Sequence, residues 1–332
     1  MSGPTFIVAG AQKAGTTSIH AMLAQHPDVF MSTPKEPGYF IRGFDDPERW
    51  QTLQRPGPGG RPQSLAKVRQ GVFTAQAYAA LFSGEDAQRS RHRGEASTPY
   101  LPSPHAARRI AQCYPETRII LALRDPVARA YSAWGYNLAR GNETAPTFEA
   151  AIEHELAGGR DSWIWGWRYL YSGLYAQHLA RYLDHFARDR ILILKFEDFR
   201  QDEAGVFGRI CDFLEIPRCE VSEGRRENVT MRHANPLLAR TRSAFTRPGE
   251  LKATVGAILP RAVRSRIRSR VLGAIDRFGK APPPLAAATS ERLADYFADD
   301  CERLQQLAGI DVSGWAPLSR SCAKPERHNG RI

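Results

Sequence analysis

The apolar residues of this chain fall into short unbroken runs separated by stretches of helical spacing. Phe6-Ile7-Val8-Ala9, Ile119-Ile120-Leu121-Ala122-Leu123 and Ile191-Leu192-Ile193-Leu194 are continuous enough to predict strands buried on both faces. Ile19, Met22 and Leu23 follow the first run at helical spacing, and His26-Pro27 closes that helix. Asp125-Pro126 ends the second run, with Asp125 as N-cap and Pro126 as first helical residue. Further helices are expected near 172–187, 203–214 and 289–308. Strands alternating with helices predict an α/β fold with a central, mainly parallel β-sheet flanked by helices on both faces. Residues 43–72, rich in Gly, Pro, Gln and Arg, read as a surface excursion within one domain spanning 1–320, and 321–332 read as a disordered tail.

The first strand runs into Gly10-Ala11-Gln12-Lys13-Ala14-Gly15-Thr16-Thr17-Ser18, a glycine-bounded loop opening a helix. The two glycines have the spacing of a Walker P-loop, in which backbone N–H groups turn inward around a phosphate at a helix N-terminus. A nucleotide triphosphatase would place Lys and then Ser/Thr after the second glycine, but Thr16 stands there and the lysine, Lys13, lies inside the loop. The loop is expected to hold a phosphate without being built for Mg-ATP. Arg124 ends the second strand and Ser132 lies two turns into the next helix, so both could clamp one more phosphate. The other reading of that helix has Arg129 and Ser132 facing solvent.

Composition narrows the class. With 42% hydrophobic residues among 332, a sizeable packed core is available. No apolar run approaches the ~18 residues of a spanning helix, and the first strand begins a few residues from Met1; a cytoplasmic protein is expected. Cys113, Cys211, Cys219, Cys301 and Cys322 are scattered and form no Cys-x-x-Cys pair, so neither a zinc site nor a disulfide framework is indicated. The net charge of +11 resides in residues 225–280, which hold fourteen Lys/Arg against three Asp/Glu, while the rest of the chain balances. Within that segment a helix predicted over 261–278 puts Val263, Ile267, Val271, Ile275 and Phe278 on one face and Arg264, Arg266, Arg268 and Arg270 largely elsewhere. It either docks peripherally on an anionic membrane or glycan, or presents a solvated face.

The glycine loop and the Arg124/Ser132 spacing resemble the nucleotide signatures of the sulfotransferases that use 3′-phosphoadenosine 5′-phosphosulfate (PAPS), above all the carbohydrate, heparan-sulfate-type and bacterial members. His26-Pro27-Asp28-Val29 with Lys35-Glu36-Pro37-Gly38-Tyr39-Phe40 is similar to their helix end and catalytic-glutamate segment. Gly94-Glu95-Ala96-Ser97-Thr98-Pro99-Tyr100-Leu101, Ser172-Gly173-Leu174-Tyr175, the run from Leu192 to Phe199 with Glu197-Asp198, and Gly309-Ile310-Asp311-Val312-Ser313-Gly314-Trp315 follow as further landmarks in order. The resemblance implies a P-loop NTPase-like fold in which Gln12, Lys13, Ala14, Gly15, Thr16, Thr17 and Ser18 wrap the 5′-phosphosulfate, and Arg124 with Ser132 holds the 3′-phosphate. It implies Glu36 as the general base, Lys13 as the cation at the bridging oxygen, and no required metal. Burial beside Pro37, Tyr39 and Phe40 is expected to raise the pKa of Glu36, and His20, His26 and His105 are rival bases. One departure stands out: Ala96 occupies the position of a heparan-type lysine, which leaves Lys35 to compensate or to contact the acceptor.

Lys35, Glu95, Trp163 and Trp165 are the candidate acceptor-binding residues. The alternating Trp163, Trp165 and Trp167 either stack on sugar or lipid or pack as core. The expected reaction is sulfuryl transfer to a hydroxyl, or less readily an amine, of a carbohydrate, glycolipid or small metabolite. The alternatives are a P-loop nucleotide kinase and a non-catalytic nucleic-acid binder acting through the basic segment. The second leaves the glycine loop and Arg124 unexplained, so no nucleic acid is expected.

Overall fold

The computed structural model describes residues 3–42, 54–56, 62–64, 72, 74–140, 142–221 and 283–319. The basic segment 225–280, its helix 261–278 and the tail 321–332 therefore lie outside the described residues, as does most of the excursion 43–72.

The core is a five-stranded, all-parallel sheet built from β1 (Phe6–Gly10), β2 (Val29–Met31), β5 (His92–Ala96), β6 (Arg118–Leu123) and β7 (Ile191–Lys195), in the order β2-β5-β1-β6-β7. Phe6, Ile7, Val8 and Ala9 in the centre, and Ile119 to Leu121 beside them, are fully buried. That is what an apolar run without polar alternation requires. Two short strands from the excursion, β3 (Gln54–Pro56) and β4 (Pro62–Ser64), pair antiparallel as a separate ribbon.

The three apolar runs are strands as expected, but β2 and β5 had no comparable signal. β2 is three residues long, and β5 reads His-Arg-Gly-Glu-Ala, a sequence of low β-propensity. Tertiary packing overrides that propensity: Gly94 leaves room for the Phe6 ring, and Glu95 is hydrogen-bonded by three hydroxyls.

Helix α1 (Thr16–Leu23) follows β1, and α2 (Pro126–Ala139) follows β6 with Asp125 Oδ1 accepting from Ala128 N at 2.9 Å. The helix expected near 172–187 is shorter, Tyr175–Leu183, because Tyr171–Gly173 forms a 3-10 turn ahead of it. Helix Glu203–Leu214 follows β7. Near the carboxyl end α3 (Ala287–Ala308) buries Leu293, Phe297, Cys301 and Leu304 against helix Tyr175–Leu183 and α2. Arg129 does not face solvent: it is 1% exposed and donates to the Tyr169 carbonyl.

Candidate active site

The carboxyl ends of β1 and β6 carry the site, the place where ligands of open parallel sheets bind. At Gly10 a Cβ would stand 2.6 Å from Leu101 Cβ, so only glycine lets the strand end this close to its neighbour. Gly15 has φ 87° and N-caps α1, and a Cβ there would meet the Phe196 ring at 3.1 Å. No side chain caps α1, so its first-turn N–H groups and helix dipole face an incoming anion.

Arg124 is fixed from several sides. Its Nη1 donates to the Lys13 carbonyl at 3.2 Å, its guanidinium lies 4.8 Å from the Phe196 ring centre, and its own carbonyl accepts from Tyr175 Oη at 2.9 Å. Next to it Asp125 N donates to Glu197 Oε1 at 3.2 Å, Asp125 Oδ2 accepts from Ala316 N at 2.6 Å, and Trp315 Nε1 donates to Glu197 Oε2 at 3.1 Å. Three landmark segments that sequence reasoning left without a role, around Tyr175, Glu197 and Trp315, thus converge on one arginine-bearing turn.

A cleft of about 870 Å³ opens over these strand ends. Gln12, Lys13, Gly15, Thr16 and Thr17 line it, together with Arg124, Ser132, Lys35, Glu36 and Thr98. Lys13, Lys35, Arg124, Arg140 and Arg200 set five cations around it against Glu36 and Asp125 among the described residues, an electrostatic match for a polyanion. Burial, then the charges of Arg124 and Arg140, pulls the Lys13 ammonium down to a pKa of about 8. The Tyr136 ring partly offsets this, with Lys13 Nζ 4.5 Å and the Arg140 guanidinium 4.2 Å from its centre. Sequence reasoning missed Thr98, Tyr136, Arg140, Phe196 and Arg200. Phe196 and Thr98 lay inside quoted landmarks, whereas Arg140 and Tyr136 had no signal beyond their place on the helix of Ser132.

Glu36 lines the cleft from the connection that follows β2, where its backbone takes a positive φ of 62°. Its carboxylate accepts from Thr98 N and Thr98 Oγ1, both at 3.0 Å, and its own N–H donates to the Ala96 carbonyl at 3.0 Å. The side chain keeps 36% of its surface exposed, so the expected burial is not found; directed hydrogen bonds hold the carboxylate as an acceptor. Lys35 Nζ lies 3.7 Å from Glu36 Oε1 and donates to Thr17 Oγ1 at 3.2 Å, which ties the carboxylate to the phosphate-type loop. Ala96 is a buried strand residue, and Lys35 lines the cleft beside Glu36.

Several expected site residues stand elsewhere. Glu95 is fully buried and cannot touch an acceptor. Trp163 and Trp165 are 5% and 8% exposed; Trp163 packs edge-on to His154 and over the Arg160 guanidinium, so both are core. Ala14 is buried with its N–H given to Ala11 O, and the Ser18 side chain is buried away from the cleft walls. Among the rival bases, His26 bonds Pro217 O at 2.8 Å and accepts from Asp28 N, His105 N-caps helix Ala106–Cys113, and His20 lies on α1 behind the loop with its pKa lowered by burial and by Lys35. None of the three lines the cleft.

Fold and site together define a P-loop-like α/β protein whose glycine loop lacks the Walker lysine. The profile of the Sulfotransferase family matches residues 4–220, and the chain belongs to that family. It is 28% identical over 313 residues to mouse heparan sulfate glucosamine 3-O-sulfotransferase 6, an alignment covering 94% of this chain and 73% of that protein. It is 27% identical over 225 residues to mouse bifunctional heparan sulfate N-deacetylase/N-sulfotransferase 4, covering 66% of this chain and 23% of that protein. Among solved structures, a sulfotransferase from Alicyclobacillus acidocaldarius superposes with a TM-score of 0.68 at 27% identity, covering 95% of this chain and 99% of that one.

Proposed function

We propose that this enzyme, acting as one domain over 1–320 in the cytoplasm, moves the sulfuryl group of PAPS to a hydroxyl of a carbohydrate or glycolipid acceptor. The observation that carries the reading is the placement of Glu36 in the same cleft as the glycine loop, joined to it through Lys35 and Thr17. The carbohydrate class rests on the two heparan sulfate enzymes that this chain resembles.

The residues fit the donor. The uncapped start of α1 and Lys13 suit the 5′-phosphosulfate, and Arg124 with Ser132 suits the 3′-phosphate. PAPS brings an activated sulfuryl group in a mixed anhydride, so the protein's work is alignment, charge neutralisation and proton removal. Glu36 takes the acceptor hydroxyl proton as that oxygen bonds to sulfur, and the sulfur–oxygen bond to phosphate breaks with its electron pair leaving on adenosine 3′,5′-bisphosphate. Lys13 neutralises the departing phosphate oxygen, and Lys35, which contacts both Thr17 of the loop and Glu36, supplies a second cation for the sulfuryl oxygens.

Mass spectrometry of a glycan acceptor panel with PAPS tests the reading. Transfer adding one sulfuryl mass is expected, surviving EDTA, and Glu36→Gln is expected to lower turnover by roughly 10² or more while leaving bisphosphate affinity nearly unchanged. Mg²⁺-dependent ATP turnover in place of sulfuryl transfer would restore the kinase alternative.

A further inference from the structure

Beneath the Glu36 turn lies a carboxyl group that the transfer chemistry does not use. Glu95 is fully buried on β5 and is met by hydroxyls: Tyr78 Oη and Tyr100 Oη donate to Oε1 at 2.9 and 2.8 Å, and Ser97 Oγ donates to Oε2 at 2.7 Å. Two of these oxygens also accept from the segment that carries the base. Ser97 Oγ accepts from Gly38 N at 3.2 Å and Tyr100 Oη from Phe40 N at 3.5 Å.

The direction of each proton matters. While both hydroxyls donate to the carboxylate, their lone pairs stay turned towards the Gly38 and Phe40 N–H groups. A protonated Glu95 has an O–H of its own that must donate to one of these oxygens, where it competes with the backbone N–H. At the same time one hydroxyl loses its acceptor. We propose that Glu95 is a positioning residue for the general base: its buried carboxylate orients Ser97 and Tyr100 so that they hold the Glu36–Phe40 turn in its catalytic geometry.

The charge on Glu95 is poised to vary in the working range. Burial raises its pKa to about 7, with the Glu36 carboxylate adding to the rise and the Ser97, Tyr100 and Tyr78 hydroxyls opposing it. From the other packed elements, Tyr182 and Tyr114 add to the titratable surroundings, as do Tyr39, stacked on Tyr78, and Arg109, whose Nη1 donates to the Phe40 carbonyl at 3.1 Å; the Glu95 charge helps push Tyr182 up, and Tyr114 acts on Tyr78. A carboxyl whose folded pKa exceeds its unfolded value holds an extra proton between about pH 4.5 and 7, so the ionised, turn-holding form dominates only above about pH 7.

This inference rests on Glu36 serving as base, so its test carries one readout independent of transfer. In wild-type protein, hydrogen exchange of segment 36–42, corrected for intrinsic rates, is expected to lose protection as pH falls through about 7, in parallel with kcat. Glu95→Gln is expected to lower kcat by roughly 10- to 100-fold, the cost of misplacing a reacting group, with bisphosphate affinity unchanged and the step near pH 7 gone from both readouts. Ser97→Ala removes a hydrogen bond that favours the carboxylate, so it is expected to move the step to higher pH, and it keeps the test alive if Glu95→Gln fails to fold. Unchanged kcat and unchanged pH profiles in the variants would overturn the proposal, as would lower kcat with the step left in place. Loss of transfer in wild type with the exchange step intact would instead fault the assignment of the reaction.

Discussion

Lys13 shows how one charge is placed for use. Its φ of 70° puts the side chain at the mouth of the loop, where burial and two arginines hold its pKa at about 8, below the ~10.4 of a free lysine. Between pH 8 and 10 the unfolded chain therefore binds more protons at this position than the folded protein. Charged Lys13 costs stability below about pH 8, and stability recovers as pH rises from there. A bound anion reverses the balance by favouring the ammonium. Binding of adenosine 3′,5′-bisphosphate at pH 8 is expected to take up about half a proton, measured by calorimetry in buffers of different ionisation enthalpy, and affinity is expected to fall above pH 8. Lys13→Met should abolish the uptake; an uptake that persists in the variant would place the titrating group elsewhere.

At the scale of elements, the β6–α2 connection works as a rigid bracket. Phe196 supplies a platform for the Arg124 guanidinium, Tyr175 and Glu197 hold the backbone, and the Trp315-Ala316 segment closes over Asp125. Charge-assisted hydrogen bonds contribute ~1.5–3 kcal/mol, so Arg124→Ala is expected to weaken adenosine 3′,5′-bisphosphate binding by roughly 10- to 100-fold and adenosine 5′-phosphate far less. Equal losses for both nucleotides in calorimetry would remove Arg124 from the 3′-phosphate. The bracket was legible in part. Strand, N-cap and arginine were all local patterns, and Glu36 and the glycine loop were read from local motifs. What could not be read was anything set by tertiary pairing: β2 and β5 lack strand propensity, Glu95 reads as an acceptor contact because the three hydroxyls that enclose it come from Tyr78, Ser97 and Tyr100 only in the fold, and the indoles of Trp163 and Trp165 carry no mark telling core from binding surface. The alternative that put Arg129 in solvent could not be rejected from sequence for the same reason, since its acceptor, Tyr169 O, lies forty residues away.

For the whole molecule, charge is the least evenly shared property. The chain outside residues 225–280 balances its Lys/Arg against its Asp/Glu, so the +11 belongs to a segment that contributes nothing to the nucleotide signatures. A cleft already ringed by Lys13, Lys35, Arg124, Arg140 and Arg200 does not need that excess to bind the donor. Two uses remain for that excess, a solvated face or capture of the acceptor, and an acidic glycan or lipid surface is the acceptor chemistry that would respond to it. Screening separates the alternatives, because the Debye length is only ~8 Å at ~0.15 M salt and an encounter driven by this segment weakens as salt rises. Acceptor KM is expected to climb steeply with ionic strength. Replacing Arg264, Arg266, Arg268 and Arg270 together by Gln should raise KM at low salt and flatten that dependence, while bisphosphate affinity stays nearly constant. Steady-state kinetics indifferent to both salt and the four substitutions would instead assign the segment to solvation and point to a small, neutral acceptor.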